Sequence, residues 1–151
     1  MAYEFLIGDL NRINSQKSIG TDKGLAKIGD AIVNLAYSVA KSIYLTKKSL
    51  NKDKILRTGL KVSKRILSNA LKNADMKSFA KNRADAHDLA NTVESIIAFI
   101  WLSNKMSINE IIDFLTDNFS GPLESRIDEI RSATTAFTNF LIYTRKYLPQ
   151  N

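Results

Sequence analysis

The stretch that decides the fold lies between residues 89 and 102, where the chain reads LANTVESIIAFIWL. Ten of these fourteen residues are apolar, and a helix that is apolar on most of its sides is buried in a protein core. We therefore predict a central helix from about Asp85 to Leu102. Within it, Asn91 and Glu94 are three residues apart and share a helix face. A carboxylate in such surroundings is costly unless it is paired or bound to a metal ion.

The rest of the chain shows the same helical periodicity. Apolar residues recur at three- and four-residue intervals almost everywhere, and the only prolines are Pro122 and Pro149. We predict an all-α helical bundle that forms one domain over residues 1–151. The other predicted elements are helices at about Tyr3–Ile13, Thr21–Leu45, Asn51 or Asp53 to Ala74, Met76–Ala80, Ser107–Asn118 and Pro122–Tyr147, with a polar loop at Asn14–Gly20.

Local signals support several of these boundaries and faces. Thr21 is a suitable N-cap for the second helix, and Ser107 with Glu110 forms a capping box. The predicted apolar side of the second helix contains Leu25, Ile28, Ala31, Ile32, Leu35 and Val39. In the last helix we predict an apolar side of Leu123, Ile127 and Ile130, opposite Glu124, Asp128 and Glu129.

Composition excludes several classes of function. The absence of cysteine rules out disulfides, thiolate zinc sites and cysteine nucleophiles. No stretch reaches the roughly 18 apolar residues that a membrane span needs, and the first ten residues do not resemble a signal peptide. We therefore expect a cytoplasmic protein without a membrane partner.

Positive charge is concentrated in the middle of the chain. Of the net charge of +7, residues 41–83 contribute +11, with thirteen basic and two acidic side chains. On a helix from residue 53 to 74, the basic residues would form a ridge along one face; these are Lys54, Arg57, Lys61, Lys64 and Arg65. No aromatic side chains are interleaved with them, which favours duplex RNA over a single strand. The alternative is an ordinary solvated helix face of a protein from a lysine-rich proteome.

Three polar residues are candidates for a metal site. Asp30 lies in the middle of the second predicted helix among apolar neighbours, much as Asn91 and Glu94 do in the central one. Two facing helices would bring these three side chains around one cation, and oxygen ligands suit Mg²⁺ or Mn²⁺. The alternative is a buried ion pair of Asp30 or Glu94 with Lys23 or Lys27.

The local sequences around these residues resemble two motifs of the ribonuclease III family. Residues 25–34 read LAKIGDAIVN and are similar to the family signature, in which a Gly-Asp pair opens an apolar helical stretch. Residues 89–98, LANTVESIIA, resemble the second acidic motif, where an Asp and a Glu lie three residues apart. The order and spacing of the two motifs agree with the family over about residues 21–119. The closest likeness is to short archaeal members that consist of the nuclease domain only.

The resemblance implies a metal-dependent endoribonuclease. Asp30 and Glu94 match the family's catalytic metal ligands, and Asn91 matches a position that is usually aspartate. The family cleaves double-stranded RNA to 5′-phosphate and 3′-hydroxyl ends and works as a homodimer. With Mg²⁺ or Mn²⁺ as the cofactor, no protein base is required. From the length of the sequence we expect no separate double-stranded-RNA-binding domain.

Two departures from the family pattern leave an alternative open. Ala26 stands where a glutamate is usual and Asn91 where an aspartate is usual, so the site loses negative charge. Lys23 also occupies a position that is often acidic. One alternative is therefore a degenerate ribonuclease III fold that binds RNA or ribosomes without cutting. Another is a basic scaffold protein whose likeness to the family is accidental.

The single histidine, His87, shares a helix face with Asn91 and Glu94. It either shapes the site or is a structural histidine. Its neighbour Asp88 is a candidate to compensate for the missing aspartate, whereas Asp85 is better explained as a helix cap.

Overall fold

The computed structural model describes residues 4–9, 12–49 and 54–151, and within them every regular element is helical. The α-helices are α1 Gln16–Gly20, α2 Lys23–Lys48, α3 Lys64–Asn73, α4 Ala86–Leu102, α5 Ile108–Asn118 and α6 Arg126–Thr144. Short 3-10 turns cover Glu4–Ile7, Lys77–Phe79 and Arg145–Tyr147. The all-α prediction is confirmed.

Helix α4 is the centre of the bundle, as its composition predicts. It packs against α1, α2 and α3, while α6 packs on α3 and α5, and α5 packs on α2. Val93, Ile96 and Ile100 are fully buried. Asp85 is its N-cap, and the capping box that Asp85 forms with Asp88 fixes the first turn. The predicted capping box of α5 is also present.

Helices α2 and α4 cross without a side chain between them at Gly29. A Cβ atom on Gly29 would overlap the backbone carbonyl group of Glu94. Two hydroxyl groups of α4 fix the same contact near the start of α2. Thr92 Oγ1 donates to the carbonyl oxygen of Gly20 (2.8 Å), and Ser95 Oγ donates to that of Asp22 (2.9 Å). This crossing brings residue 30 of α2 beside residue 94 of α4.

The predicted apolar side of α2 is partly wrong. Leu35 is 52% exposed and Ala31 is also exposed, whereas Val33, Ala36 and Ala40 are buried. Leu25 and Ile32 are buried as predicted, together with the larger Tyr37 and Tyr44, and Gly29 lies where α4 crosses α2. Polar side chains on the exposed side of α2 bind the backbone of the segment that precedes α3.

Several predicted boundaries also need correction. The predicted loop at residues 14–20 contains α1, which begins with a capping box between Ser15 and Ser18. Asp22, and not Thr21, caps α2. The last helix begins at Arg126 and not at Pro122, because Ser125 is its N-cap and accepts the N–H of Asp128, while Gly121 in the preceding segment has a φ of +70°.

At the N-terminus, the first predicted helix is only the 3-10 turn at Glu4–Ile7. Of that prediction, the parts at Tyr3, Leu10 and Asn11 lie outside the described residues.

Residues 54–63 are extended, although we predicted a helix that begins at Asn51 or Asp53. Helix α3 begins only at Lys64, with Ser63 as its N-cap, and residues 50–53 lie outside the described residues. This segment runs antiparallel along the surface of α2, and we call residues 54–63 the strap. Two of its apolar residues, Ile55 and Leu60, are 63% and 42% exposed, whereas Val62 at its end is buried.

A ladder of hydrogen bonds holds the strap in place. The backbone N–H groups of Val62, Leu60, Thr58 and Leu56 donate to the side chains of Asn34, Ser38, Ser42 and Thr46, at 2.7, 3.3, 2.9 and 2.9 Å. Four residues of helix rise about 6 Å, and two residues of extended chain span about 6.6 Å, so the two spacings match. The side chains of α2 thus satisfy backbone donors that a helix would have satisfied internally.

A buried charge network ties α2 to α6. Glu129 is 6% exposed and accepts hydrogen bonds from Tyr37, from Lys41 (2.5 Å) and from Arg126 (3.2 Å). The predicted faces of the last helix are therefore only partly right. Leu123 is buried and Ile130 packs against the core as predicted, but Glu129 is also buried and Ile127 is 71% exposed. The three donors offset the cost of removing a carboxylate from water.

Replacing Glu129 with glutamine should lower the free energy of unfolding by about 3 kcal/mol, because Lys41 would lose its carboxylate partner in a largely buried position. Urea denaturation measures this loss. Tyr37→Phe is the matched control, since it removes one hydrogen bond and should cost only about 1 kcal/mol. Equal stability of Glu129→Gln and wild type would show that the network contributes nothing.

Candidate active site

A groove of about 540 Å³ opens at the crossing of α2 and α4. Asp30 of α2 and Asn91 and Glu94 of α4 line it together. Its opposite wall is formed by the end of the strap and the start of α3, through Lys61 and Lys64. The residues predicted from distant parts of the sequence therefore meet in one cavity.

The carboxyl groups of Asp30 and Glu94 lie within hydrogen-bonding reach of each other in the groove. Glu94 is 8% exposed, and burial raises the pKa of its carboxyl group to about 8, with further contributions from the hydrogen bond and the negative charge of Asp30. The charges of Lys61 and Lys64 act in the opposite direction. Two carboxyl groups this close need a proton or a cation between them.

Asn34 fixes the orientation of Asp30. Its Nδ2 atom donates to Asp30 Oδ1 (3.1 Å), and its Oδ1 atom accepts the N–H of Val62 (2.7 Å). One amide group thus connects the acidic pair to the strap. We did not single out Asn34 from the sequence as a functional residue, although its position four residues after Asp30 places it on the same helix face.

The alternative of a buried ion pair with Lys23 or Lys27 is not what the structure contains. Both lysines line the groove, but no described salt bridge joins either of them to Asp30 or Glu94. The two carboxyl groups contact each other instead, which is the arrangement of a cation or proton site.

The family model described as Ribonuclease III matches residues 23–148 of the chain. This chain belongs to the ribonuclease III family. The match covers both motifs and all the helices from α2 to α6, so the likeness is not accidental and the scaffold alternative is removed. No curated protein matches the chain significantly.

The groove of this protein has fewer acidic side chains than the family motifs would place in it. Ala26 lines the groove where a glutamate is usual and contributes only a methyl group, and Asn91 contributes an amide in place of a carboxylate. Within the described ranges, no group of three or more His, Cys, Asp or Glu side chains is arranged to hold a metal ion. At the predicted metal site the donors are the carboxylates of Asp30 and Glu94 and the amide oxygen of Asn91, which fit one hard cation.

The two other candidate residues of α4, His87 and Asp88, also line the groove. His87 lines the groove but is exposed at the first turn of α4. Asp88 also faces the groove, but its Oδ2 atom accepts the N–H of Asp85 (3.0 Å) and lies 3.4 Å from Lys81 Nζ. These interactions lower the pKa of Asp88, the bond from the Asp85 backbone first. Asp88 is therefore committed to the helix cap.

The basic residues do not form the predicted ridge along a helix. Lys54, Arg57 and Lys61 project from the extended strap, and only Lys64 and Arg65 belong to α3. All five are exposed, but only Lys61 and Lys64 line the groove.

Among the residues that the structure describes, none of the helices has the length and apolar character of a membrane span.

Glu94 should make the metal-free protein less stable as pH rises. Between the ordinary glutamate pKa of 4.5 and about 8, the folded protein keeps a proton that the unfolded chain releases. The contribution is fully present below pH 4.5 and is lost by pH 8. With screening by water in the groove, we expect about 2 kcal/mol.

Urea denaturation in EDTA at pH 5 and pH 8 measures this loss. Glu94→Gln carries a permanently neutral amide and should lack it, so at pH 8 it should be more stable than wild type. The exposed Glu124→Gln is the matched control and should follow wild type. A parallel decline in wild type and Glu94→Gln would contradict the assignment.

Proposed function

We propose that this protein is a metal-dependent endoribonuclease that cleaves double-stranded RNA and leaves 5′-phosphate and 3′-hydroxyl ends. The observation that carries the proposal is the contact between Asp30 and Glu94 inside a lysine-lined groove. These two residues stand at the ligand positions of the family motifs.

Asp30 and Glu94 are the proposed catalytic residues, and with Asn91 they would hold Mg²⁺ or Mn²⁺. When bound, the cation supplies a Lewis acid that activates water and stabilises charge on the phosphate. Asn34 keeps the carboxylate of Asp30 aimed into the groove. Gly29 lets α4 approach closely enough for Glu94 to reach it.

The strap and the start of α3 are the proposed RNA-binding surface. Lys54, Arg57, Lys61, Lys64 and Arg65 would contact the phosphates of a duplex, next to the groove. Affinity should fall with salt, since each phosphate contact releases counterions. We further propose a single catalytic domain over residues 1–151 that resembles the short archaeal members, and a cytoplasmic homodimer.

A second function is favoured by one specific observation. Ala26 and Asn91 remove two negative charges from the groove. The protein would then be a catalytically degenerate member of the family that binds structured RNA or ribosomes without cutting.

The test is incubation of the purified chain with duplex RNA and with the same RNA as single strands, in Mg²⁺, in Mn²⁺ and in EDTA. We expect cleavage of the duplex only, with 5′-phosphate ends, and none in EDTA. Asp30→Asn purified in parallel controls for contaminating nuclease. Binding of the duplex without cleavage in either metal would favour the degenerate protein.

A further inference from the structure

The groove contains more lysines than carboxylates. Lys23, Lys27, Lys61, Lys64 and Lys81 line it, against Asp22, Asp30, Asp88 and Glu94. Two of these four carboxylates are already committed. Asp22 Oδ1 accepts the N–H of Leu25 as the N-cap of α2 (2.8 Å), and Asp88 caps α4 and pairs with Lys81. Only Asp30 and Glu94 remain to neutralise a cation.

This charge balance is sufficient for one divalent cation. Two-cation sites hold their ions about 3.5–4 Å apart and need carboxylates to offset the repulsion between them. Here a second dication would meet four positive charges from the lysines that are not paired with Asp88, and the methyl group of Ala26 in place of a ligand. One cation neutralises the Asp30–Glu94 pair, whereas a second would leave a large excess of positive charge.

Two lysines stand beside the acidic pair. The charges of Lys61 and Lys64 both act on the carboxyl group of Glu94. Neither forms an ion pair with any described carboxylate. Lys61 is adjacent to Val62, whose N–H is bound by Asn34, and Lys64 is the first residue of α3. Both ammonium groups are therefore carried by backbone that is fixed relative to Asp30.

We propose that the groove binds a single divalent cation, and that Lys61 and Lys64 hold the scissile phosphate in place of a second cation. This inference rests on the proposed function and deepens it. An ammonium group offers a compact positive charge and three donors to the phosphate oxygens without requiring further acidic ligands. Residues 26 and 91 provide no acidic ligands for a second cation, and the two lysines supply the positive charge that this cation would have supplied.

The first measurement is the stoichiometry of Mn²⁺ binding to the full chain by electron paramagnetic resonance and calorimetry. We expect one Mn²⁺ per chain, and none in Asp30→Asn. Binding of two Mn²⁺ ions per chain would overturn the proposal.

The second measurement is the broadening of the ³¹P line of inorganic phosphate by the Mn²⁺-loaded protein. The double variant Lys61→Met/Lys64→Met should lose most of this broadening, at least about fivefold, and still bind one Mn²⁺. The control is Lys77→Met/Lys105→Met, which removes two exposed charges outside the groove and should behave as wild type. Full broadening in the Lys61→Met/Lys64→Met variant would overturn the proposal.

Cleavage assays separate this inference from the proposed function. At saturating duplex RNA, Lys61→Met/Lys64→Met should lower kcat by about 100-fold, as loss of a charge-stabilising group does in other active sites. Wild-type cleavage by that variant would refute the inference and leave the nuclease in place. Absence of cleavage by wild type, with one Mn²⁺ and lysine-dependent phosphate binding, would refute the nuclease and the scissile role of the phosphate, while the one-cation groove with its lysine-bound phosphate would stand.

Discussion

Asp30→Asn should reduce the rate of duplex RNA cleavage by about a thousandfold. The substitution removes one of the two carboxylates that face each other in the groove. The cation contributes several kcal/mol of charge stabilisation, and about 1.4 kcal/mol corresponds to a factor of ten in rate. The fold should survive, because the asparagine oxygen can still accept the bond from Asn34 and the repulsion from Glu94 disappears. A quenched-flow or gel assay with end-labelled duplex measures the rate.

Asp22→Asn is the matched control for this loss. It removes the same charge from the same groove, but asparagine caps a helix about as well as aspartate does. We expect nearly wild-type cleavage and a normal increase in melting temperature on addition of Mn²⁺, an increase that Asp30→Asn should lack. If both variants lose activity equally, the groove acts through its overall charge and Asp30 is not a ligand.

The parts of the fold that were predicted correctly depend on local signals. The composition of residues 89–102 specifies a buried helix, and the capping box at Ser107 fixes the start of α5. Both features can be read within a few turns of one helix. The pairing of Asp30 on α2 with Glu94 on α4 is a different case, because helix faces alone left an ion pair with lysine open and only the resemblance to the two family motifs favoured a shared site.

The strap could not be predicted from its own residues. Ile55, Leu56 and Leu60 recur at helical spacing, but the partners of their backbone segment are side chains of α2, up to 28 residues away. The signal lay in α2, where a polar side chain occurs at every fourth position from residue 34 to residue 46. These side chains are Asn34, Ser38, Ser42 and Thr46. The burial of Glu129 escaped prediction for the same reason, since its donors Tyr37 and Lys41 belong to α2.

Gly29→Ala should destabilise the protein by about 3 kcal/mol and separate the acidic pair. Alanine is the better helix former by about 1 kcal/mol, so propensity alone predicts a gain in stability. The new Cβ atom, however, would overlap the backbone of Glu94, which cannot move without shifting α4. The same shift would carry Glu94 away from Asp30, and Mn²⁺ affinity should fall together with the midpoint of urea denaturation.

Gly24→Ala makes the same change in the same helix and is the matched control. A Cβ atom at Gly24 meets only the side chain of Asp22, at 3.3 Å, so its stability should change by less than about 1 kcal/mol and Mn²⁺ binding should be unaffected. The contrast between the two alanines isolates the close helix crossing from helix propensity. If Gly29→Ala proves as stable as Gly24→Ala, then α2 and α4 are farther apart than described, and the contact that brings Asp30 to Glu94 is not what holds the site together.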